Sequence, residues 1–241
     1  MKKLRRIIFS LLFIFALAGC GKSSKYPSKL DITTNEEQFR AVADGDTVAE
    51  IKTTKGTIKI LLFPEYAPLR VENFRLLSES GYYDGSLFSR VVKDTLVRAG
   101  SPEGTQGTGK SRWGIYFTDE FTDKLHNYTG RVGMVSGGED KNGSRFYIVT
   151  TPTDRDISAK LDEMRGAGWR EEVINVYSQI GGAPSFDYRY TVFGQVYEGL
   201  DIAYEIANSK TDESGKPQKD IKIESVTVYT VQSGDETSTG E

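Results

Sequence analysis

Short runs in which apolar and polar residues alternate dominate the chain, and this period of two is typical of β-strands with one buried face. The first two runs flank Lys55-Gly56 in TVAEIKTTKGTIKILLF, which predicts a β-hairpin with a tight turn. Further runs predict strands at residues 87–92, 96–99, 132–135, 146–150, 191–196 and 221–231. The pattern therefore predicts eight strands at short spacing, as in antiparallel barrels.

Two segments repeat their apolar residues at helical spacing, one after the first hairpin and one before the last strand. Residues 67–80 place Val71, Phe74 and Leu77 near one face, and residues 200–208 form the second segment. We therefore expect a mainly β fold: a closed eight-stranded antiparallel barrel capped by two helices.

The stretch at residues 152–189 is longer than a connection between two strands needs. It contains WREEVINVYSQIGG, in which Val173, Val176, Tyr177 and Ile180 recur at helical spacing before two glycines. We expect an inserted helix here. Its apolar stripe packs on the barrel, shapes a groove or receives a partner, and the sequence leaves these three alternatives open.

Both ends of the chain differ from its middle. Residues 1–19 join the basic MKKLRR to the apolar IIFSLLFIFALA, which is the pattern of a secretory signal. The only cysteine, Cys20, ends an LAGC sequence that resembles the bacterial lipoprotein signal, where the thiol is acylated after cleavage; the alternative is an ordinary secretory peptide with an incidental cysteine. We expect a lipidated, polar tether at residues 20–44, one domain at 45–232 and a flexible tail at 233–241. The predicted location is extracytoplasmic, on a bacterial membrane.

Composition and charge limit the classes of molecule that we expect the protein to bind. The chain has 241 residues, of which 37% are hydrophobic, enough for one well-packed domain. Removal of the signal takes away four basic residues, so the formal charge changes from −3 to −7. An acidic chain is a poor ligand for nucleic acid, and we expect none as a partner.

Six segments, in the order in which the family has them, resemble the cyclophilins, a family of peptidyl-prolyl cis/trans isomerases, and in particular its bacterial secreted members. They are TTKGTIKILLFPEYAPLRVENFRLL, LFSRVV, GSPEGTQGTG, GRVGMVSGG, NGSRFYIVT and YTVFGQVYEGLDI. The resemblance implies a barrel capped by two helices and isomerisation of X-Pro bonds without a cofactor. Its substrates would be X-Pro segments of secreted or envelope proteins during folding, and the alternative is a non-catalytic proline-peptide-binding or chaperone module.

By this resemblance, Arg90 is the catalytic residue. Amide resonance imposes a barrier of about 18 to 20 kcal/mol on rotation about the bond before proline. A guanidinium stays charged and presents rigid donors, so it can stabilise the twisted state in which the nitrogen has gained a lone pair. The alternative is an arginine on a solvated strand face that pairs with a carboxylate.

The resemblance also implies a substrate groove, in which several positions depart from the family. Thr95 and Leu96 stand where the family has an aromatic residue and a methionine, and Ser185 stands where it has a tryptophan. Two groove glutamines become arginines, which adds positive charge beside Arg90 unless acids such as Glu103 or Asp140 pair with them. The predicted substrate-binding residues are Leu96, Arg98, Ser136, Arg145, Tyr147, Phe186 and Tyr190.

One motif points to a different chemistry. GTQGTGKS, residues 104–111, matches the phosphate-loop pattern of nucleotide-binding proteins. A phosphate loop must open a helix, whereas RWGIYFTDEF has no apolar face of helical period. We therefore expect no nucleotide. A single histidine, His126, and a single cysteine give no zinc site of the usual kind, so we expect no metal.

Overall fold

The computed structural model describes residues 26–102 and 108–232 of the chain. Within these ranges it contains eight strands, which the sequence pattern had located to within a few residues. They are β1 (Thr47–Thr53), β2 (Gly56–Leu62), β3 (Arg90–Val92), β4 (Leu96–Ala99), β5 (Arg131–Ser136), β6 (Asn142–Val149), β7 (Val192–Glu198) and β8 (Ile223–Thr230).

All eight strands lie in one antiparallel sheet that curls around its core. Their order is β3-β4-β6-β5-β7-β2-β1-β8, so β3 and β8 are the two outer strands. One antiparallel bridge, Leu87 with Lys222, brings these outer edges together, and the Phe88 amide donates to the Ile221 carbonyl at 2.9 Å. No ladder joins β3 to β8 in the described part of the chain, so the structure confirms the eight-stranded antiparallel sheet, and full closure stays a prediction.

Four α-helices are present in the described ranges: α1 (Pro68–Glu79), α2 (Ser158–Gly166), α3 (Glu171–Ile180) and α4 (Leu200–Ala207). α1 packs against β8 and α4 against β2, as the two predicted capping helices should. The insertion contains two helices where the sequence predicted one. α2 buries only Leu161 and Met164, which is too sparse an apolar pattern to identify a helix.

The main hydrophobic core lies between the curled sheet and the capping helices α1 and α4. Phe74 of α1 is at its centre, 5.2 to 5.6 Å from the rings of Tyr83, Phe146 and Phe193. A second cluster lies under the insertion, where Val173, Val176, Tyr177 and Ile180 of α3 are buried. The apolar stripe of α3 therefore packs within the molecule.

The predicted tether is shorter than expected, because residues 26–44 lie against the domain. Tyr26 packs on Tyr204 of α4 with ring centroids 4.8 Å apart. The side-chain amide of the buried Gln38 donates to the His126 backbone carbonyl at 3.0 Å and accepts from the His126 backbone amide at 2.9 Å. Residues 20–25 of the tether, the signal at 1–19 and the tail at 233–241 lie outside the described residues.

Candidate active site

The β3–β4 hairpin places two arginines side by side. Arg90 and Arg98 are directly opposite each other in the register, so both project from the same face of the sheet. The side chain of Arg90 is exposed and that of Arg98 is half-buried. Burial, and then the charge of Arg90, lower the pKa of the Arg98 guanidinium.

A cavity of about 170 Å³ opens beside this pair of arginines. Its size suits a single small ring. Its walls contain six of the seven residues that the sequence predicted to bind substrate: Leu96, Arg98, Ser136, Tyr147, Phe186 and Tyr190, together with Thr108, Val135 and Gly137. Arg90 is not in the wall itself and lies on the neighbouring strand, directly opposite Arg98.

Arg145, the seventh predicted residue, does not line the cavity, although burial and then the charge of the nearby Arg98 lower its pKa. It is fully buried, because the chain at Thr108 crosses β6 and accepts hydrogen bonds from the amides of Ser144 and Arg145, both at 3.0 Å. The structure therefore does not bring Arg145 into the cavity wall. Ser136 lines the cavity, but its hydroxyl donates to the Gly138 carbonyl and accepts from the Gly138 amide, so its proton is used within the protein.

Three aromatic side chains form one side of the cavity. The ring of Tyr147 meets those of Phe186 and Tyr190 edge-on at 5.8 and 6.0 Å, and Phe186 lies 5.1 Å from Tyr190. Edge-to-face contacts of this kind fix ring positions and contribute about 1 kcal/mol each beyond the buried area. The cavity therefore offers a rigid apolar wall on one side and a guanidinium on another.

A buried polar network that the sequence did not predict holds this wall from behind. The Tyr147 hydroxyl donates to Asn127 at 2.6 Å, and the Asn127 amide and side chain donate to one oxygen of Asp187 at 2.7 and 2.8 Å. The other oxygen accepts from the Tyr177 hydroxyl at 2.8 Å and faces His126 Nδ1 at 2.9 Å. Burial raises the pKa of Tyr147 well above its usual value, which keeps the hydroxyl a donor.

The sequence signal for this network was present but weak. Asp187 directly follows the pocket residue Phe186, and His126-Asn127 precedes β5 by a few residues. Nothing in their spacing shows that these two loops meet. His126 stands in the polar stretch DKLHNY but is only 2% exposed.

A second, larger cavity of about 410 Å³ adjoins the first and belongs to the insertion. Phe186 forms part of both walls, so the two cavities are neighbours. Thr95 lies in its wall at the position where an aromatic residue was expected, and Ser185 lies there in place of the expected tryptophan. The remaining wall comes from Thr151, residues 155–160 and residues 182–184.

The fold and this arrangement agree with a comparison of the sequence with family models. Residues 48–228 match the model described as cyclophilin type peptidyl-prolyl cis-trans isomerase/CLD. The chain belongs to the cyclophilin family. The match spans all eight strands and all four helices that the structure describes, apart from the last residues of β8 and the first residue of β1.

Relatives among named proteins carry the same activity in their names. A peptidyl-prolyl cis-trans isomerase of Staphylococcus saprophyticus is 37% identical over 196 residues, which cover 81% of this chain and 98% of that protein. One of Staphylococcus aureus is 36% identical over 190 residues, covering 78% and 95%. This chain is therefore a cyclophilin-type peptidyl-prolyl isomerase, and the predicted activity is confirmed.

Solved structures support the fold. A cyclophilin of Cryptosporidium parvum superposes with a TM-score of 0.62 at 26% identity over 77% of this chain and 99% of that one. The same protein, solved in the presence of the dipeptide Ala-Pro, gives a TM-score of 0.61. Four helices rather than two accompany the sheet here, because the insertion adds α2 and α3.

Three further observations concern metal binding, membrane spanning and nucleotide binding. In the described ranges, no cluster of histidine, cysteine and acidic side chains has the geometry to hold a metal ion. No described helix is both long and apolar enough to span a membrane. Lys110 of the phosphate-loop pattern is exposed, and the residues that follow it form turns instead of the helix that such a loop needs.

Proposed function

We propose that Arg90 is the catalytic residue of this isomerase and that the 170 Å³ cavity holds the proline ring of the substrate. The observation that carries the proposal is the exposed Arg90 guanidinium directly beside the arginine that lines the cavity. No bond is made or broken in the reaction. The protein has only to hold the ring, exclude water and stabilise the twisted amide.

The chemistry follows from charge and shape. The twisted nitrogen loses conjugation and gains a lone pair, to which a guanidinium N–H can donate. The aromatic wall of Tyr147, Phe186 and Tyr190 supports the ring in one orientation. Lowering the barrier by about 5 kcal/mol accelerates rotation by between three and four powers of ten.

Replacement of Arg90 tests this role. We expect Arg90→Ala to lower kcat/KM at least about tenfold in a protease-coupled assay on a short X-Pro peptide, with little change in Tm, because the side chain is exposed. Arg90→Lys should recover only part of the loss, since an ammonium lacks the rigid fork of donors. The matched control is Lys93→Ala, which removes an exposed charge from the turn of the same hairpin. An unchanged rate in Arg90→Ala, or an equal loss in Lys93→Ala, contradicts the proposal.

We also propose that the enzyme acts outside the cytoplasm, on secreted or envelope proteins, while anchored by acyl chains on Cys20. The support is the sequence alone: a basic start, an apolar run too short to span a bilayer, and LAGC at its end. Stable anchoring needs more than one acyl chain, as lipoprotein processing supplies.

Cys20→Ala tests the anchor. We expect wild-type protein to incorporate a labelled fatty acid and to sediment with membranes, and the variant to do neither and to keep its signal segment, because the acylated thiol is both the cleavage signal and the anchor. Ser23→Ala, three residues away, serves as the control and should behave as wild type. Equal labelling of the Cys20 variant and the wild type would exclude the anchor and leave the isomerase activity unaffected.

A further inference from the structure

The Arg90–Arg98 pair is an arrangement of like charges that the isomerase reaction alone does not require. Residues directly opposite each other in an antiparallel pair have Cβ atoms about 4.5 to 5.5 Å apart, and like charges at such positions repel. A single guanidinium is enough to stabilise the twisted amide. The positive charge of Arg98 is therefore not explained by the reaction itself. Because Arg98 lies in the cavity wall, we relate its charge to the binding of substrate.

No carboxylate compensates these two charges within residues 26–102 and 108–232. Neither arginine forms an ion pair there, whereas the buried Arg70 has both Asp119 and Glu120 within 3.1 Å. Asp140, the described acid that the sequence offered as a partner, instead accepts from the Asp119 amide at 2.7 Å. The positive charge beside the cavity is thus available to a bound molecule.

The donors of Arg98 are also incompletely used. Its Nε is buried and has no hydrogen-bond partner within the part of the chain that the structure describes. Among the described residues, the groups that favour its charged form are Tyr190 and Tyr147, and no carboxylate is one of them. A buried donor without an acceptor costs free energy, and an anionic ligand at the terminal nitrogens of Arg98 would offset part of that cost.

We propose that Arg90 and Arg98 form an anion subsite beside the proline pocket, which selects X-Pro peptides with an aspartate or glutamate next to the proline. The proposal rests on the isomerase function. A carboxylate there takes charge-assisted hydrogen bonds from Arg98, while Arg90 keeps its place at the reacting amide. The otherwise acidic chain repels such peptides elsewhere, so the subsite concentrates them at the groove.

Matched peptides test the proposal. We would measure kcat/KM for peptides with Glu, Ala or Lys directly before, and in a second set directly after, the proline, at about 20 mM and about 500 mM salt. In wild type we expect Glu to exceed Ala by about three- to thirtyfold in at least one set at low salt, and Lys to fall below Ala. The preference should shrink at high salt, because partly exposed charges are screened over about 10 Å at 0.1 M and less above it.

Two variants identify the residue responsible. Arg98→Gln should bring the Glu-to-Ala ratio close to one, and Arg98→Lys should keep part of it. Arg75→Gln removes the same charge from the exposed face of α1, where Arg75 pairs with Glu72 and Glu79, and should keep the wild-type ratio. The ratio within each enzyme is the readout, so a change in overall rate does not affect the comparison.

Calorimetric titration with the same peptides keeps the two proposals separable. If wild type binds the Glu peptide more tightly but Arg90→Ala turns it over as fast as wild type does, the catalytic role of Arg90 fails and the anion subsite stands. If the peptides bind and react alike at low salt, if Arg98→Gln keeps the wild-type order, or if Arg75→Gln loses the order equally, the anion subsite is wrong.

Discussion

Arg70 and Arg131 are both fully buried, but among the described residues only Arg70 contacts carboxylates. Its guanidinium contacts Asp119 at 3.0 Å and Glu120 at 3.1 Å, and Glu120 also accepts from the first amides of α1. Arg131 has two buried nitrogens without partners, and it lies over the rings of Phe39 and Tyr128 at 5.3 and 5.7 Å. Burial lowers the pKa of Arg131 to about 9.

The two arginines should therefore respond oppositely to the same substitution. We expect Arg70→Met to lower the free energy of unfolding by about 3 kcal/mol or more, because it leaves two acids unpaired. Arg131→Met should raise it by about 1 to 2 kcal/mol, because an apolar side chain of similar length replaces a charge that the interior solvates poorly. Urea denaturation at pH 7 measures both. Comparable destabilisation by the two substitutions would show that the rings of Phe39 and Tyr128 compensate the charge of Arg131.

At the scale of single residues, the sequence predicted which residues belong to the candidate site better than it predicted their surroundings. Ordered motifs located Arg90, Arg98 and Tyr147, and the cavity brings the latter two together. The burial of Arg145 outside the cavity wall has a long-range cause, since only the folded chain shows that Thr108 bonds to β6. The same holds for Asp187, whose partners Asn127 and His126 come from a loop about 60 residues earlier.

Among the elements, β3 is the one on which the proposed chemistry depends most and which has the least support. It has three residues and lies at the edge of the sheet, paired with β4 on one side. On its other side the Val91 amide donates to the carbonyl of Gly215 at 2.7 Å. Gly215 has φ +82°, and a Cβ there would lie 2.8 Å from the Val91 carbonyl oxygen and 3.5 Å from Arg90 Cγ.

Gly215 is thus a positioning residue for Arg90. We expect Gly215→Ala to lower kcat at least about threefold with a smaller change in KM, because the added methyl group must displace β3. The matched control is Gly45→Ala: Gly45 has φ +85°, but its Cβ would meet nothing within 4 Å. Both variants should lose about 1 kcal/mol of stability through backbone strain. If the two variants have equal kcat, β3 is not held by this contact.

The elements themselves were predictable where their pattern was regular. The β1–β2 hairpin and helices α1 and α4 agree with the predicted ranges to within about two residues, because alternation and helical spacing are strong there. The predicted strand at 87–92 is shortened to β3, because residues 85–88 bond instead to the chain at 221–223. That pairing joins opposite ends of the sheet and leaves no local signal.

For the molecule as a whole, the largest departure from prediction is the N-terminal segment. Composition alone favoured a solvated tether, since residues 26–44 are mostly polar and their few apolar side chains follow no period. The folded domain supplies what the segment lacks: Phe39 packs on Tyr128 at 5.5 Å, and Glu36 pairs with Arg170 at 2.8 Å. Such contacts with residues distant in the sequence cannot be predicted from local sequence patterns.

The packing of Tyr26 on Tyr204 also limits how far the enzyme can travel. Six residue steps join Cys20 to Tyr26, and a fully extended chain advances at most about 3.6 Å per step, so the two lie at most about 22 Å apart. With the proposed acyl chains on Cys20, the enzyme would stay in a thin layer above the membrane surface and would diffuse in the plane of the membrane. Its clients would then be chosen by where a polypeptide leaves the bilayer as much as by the residues around its prolines.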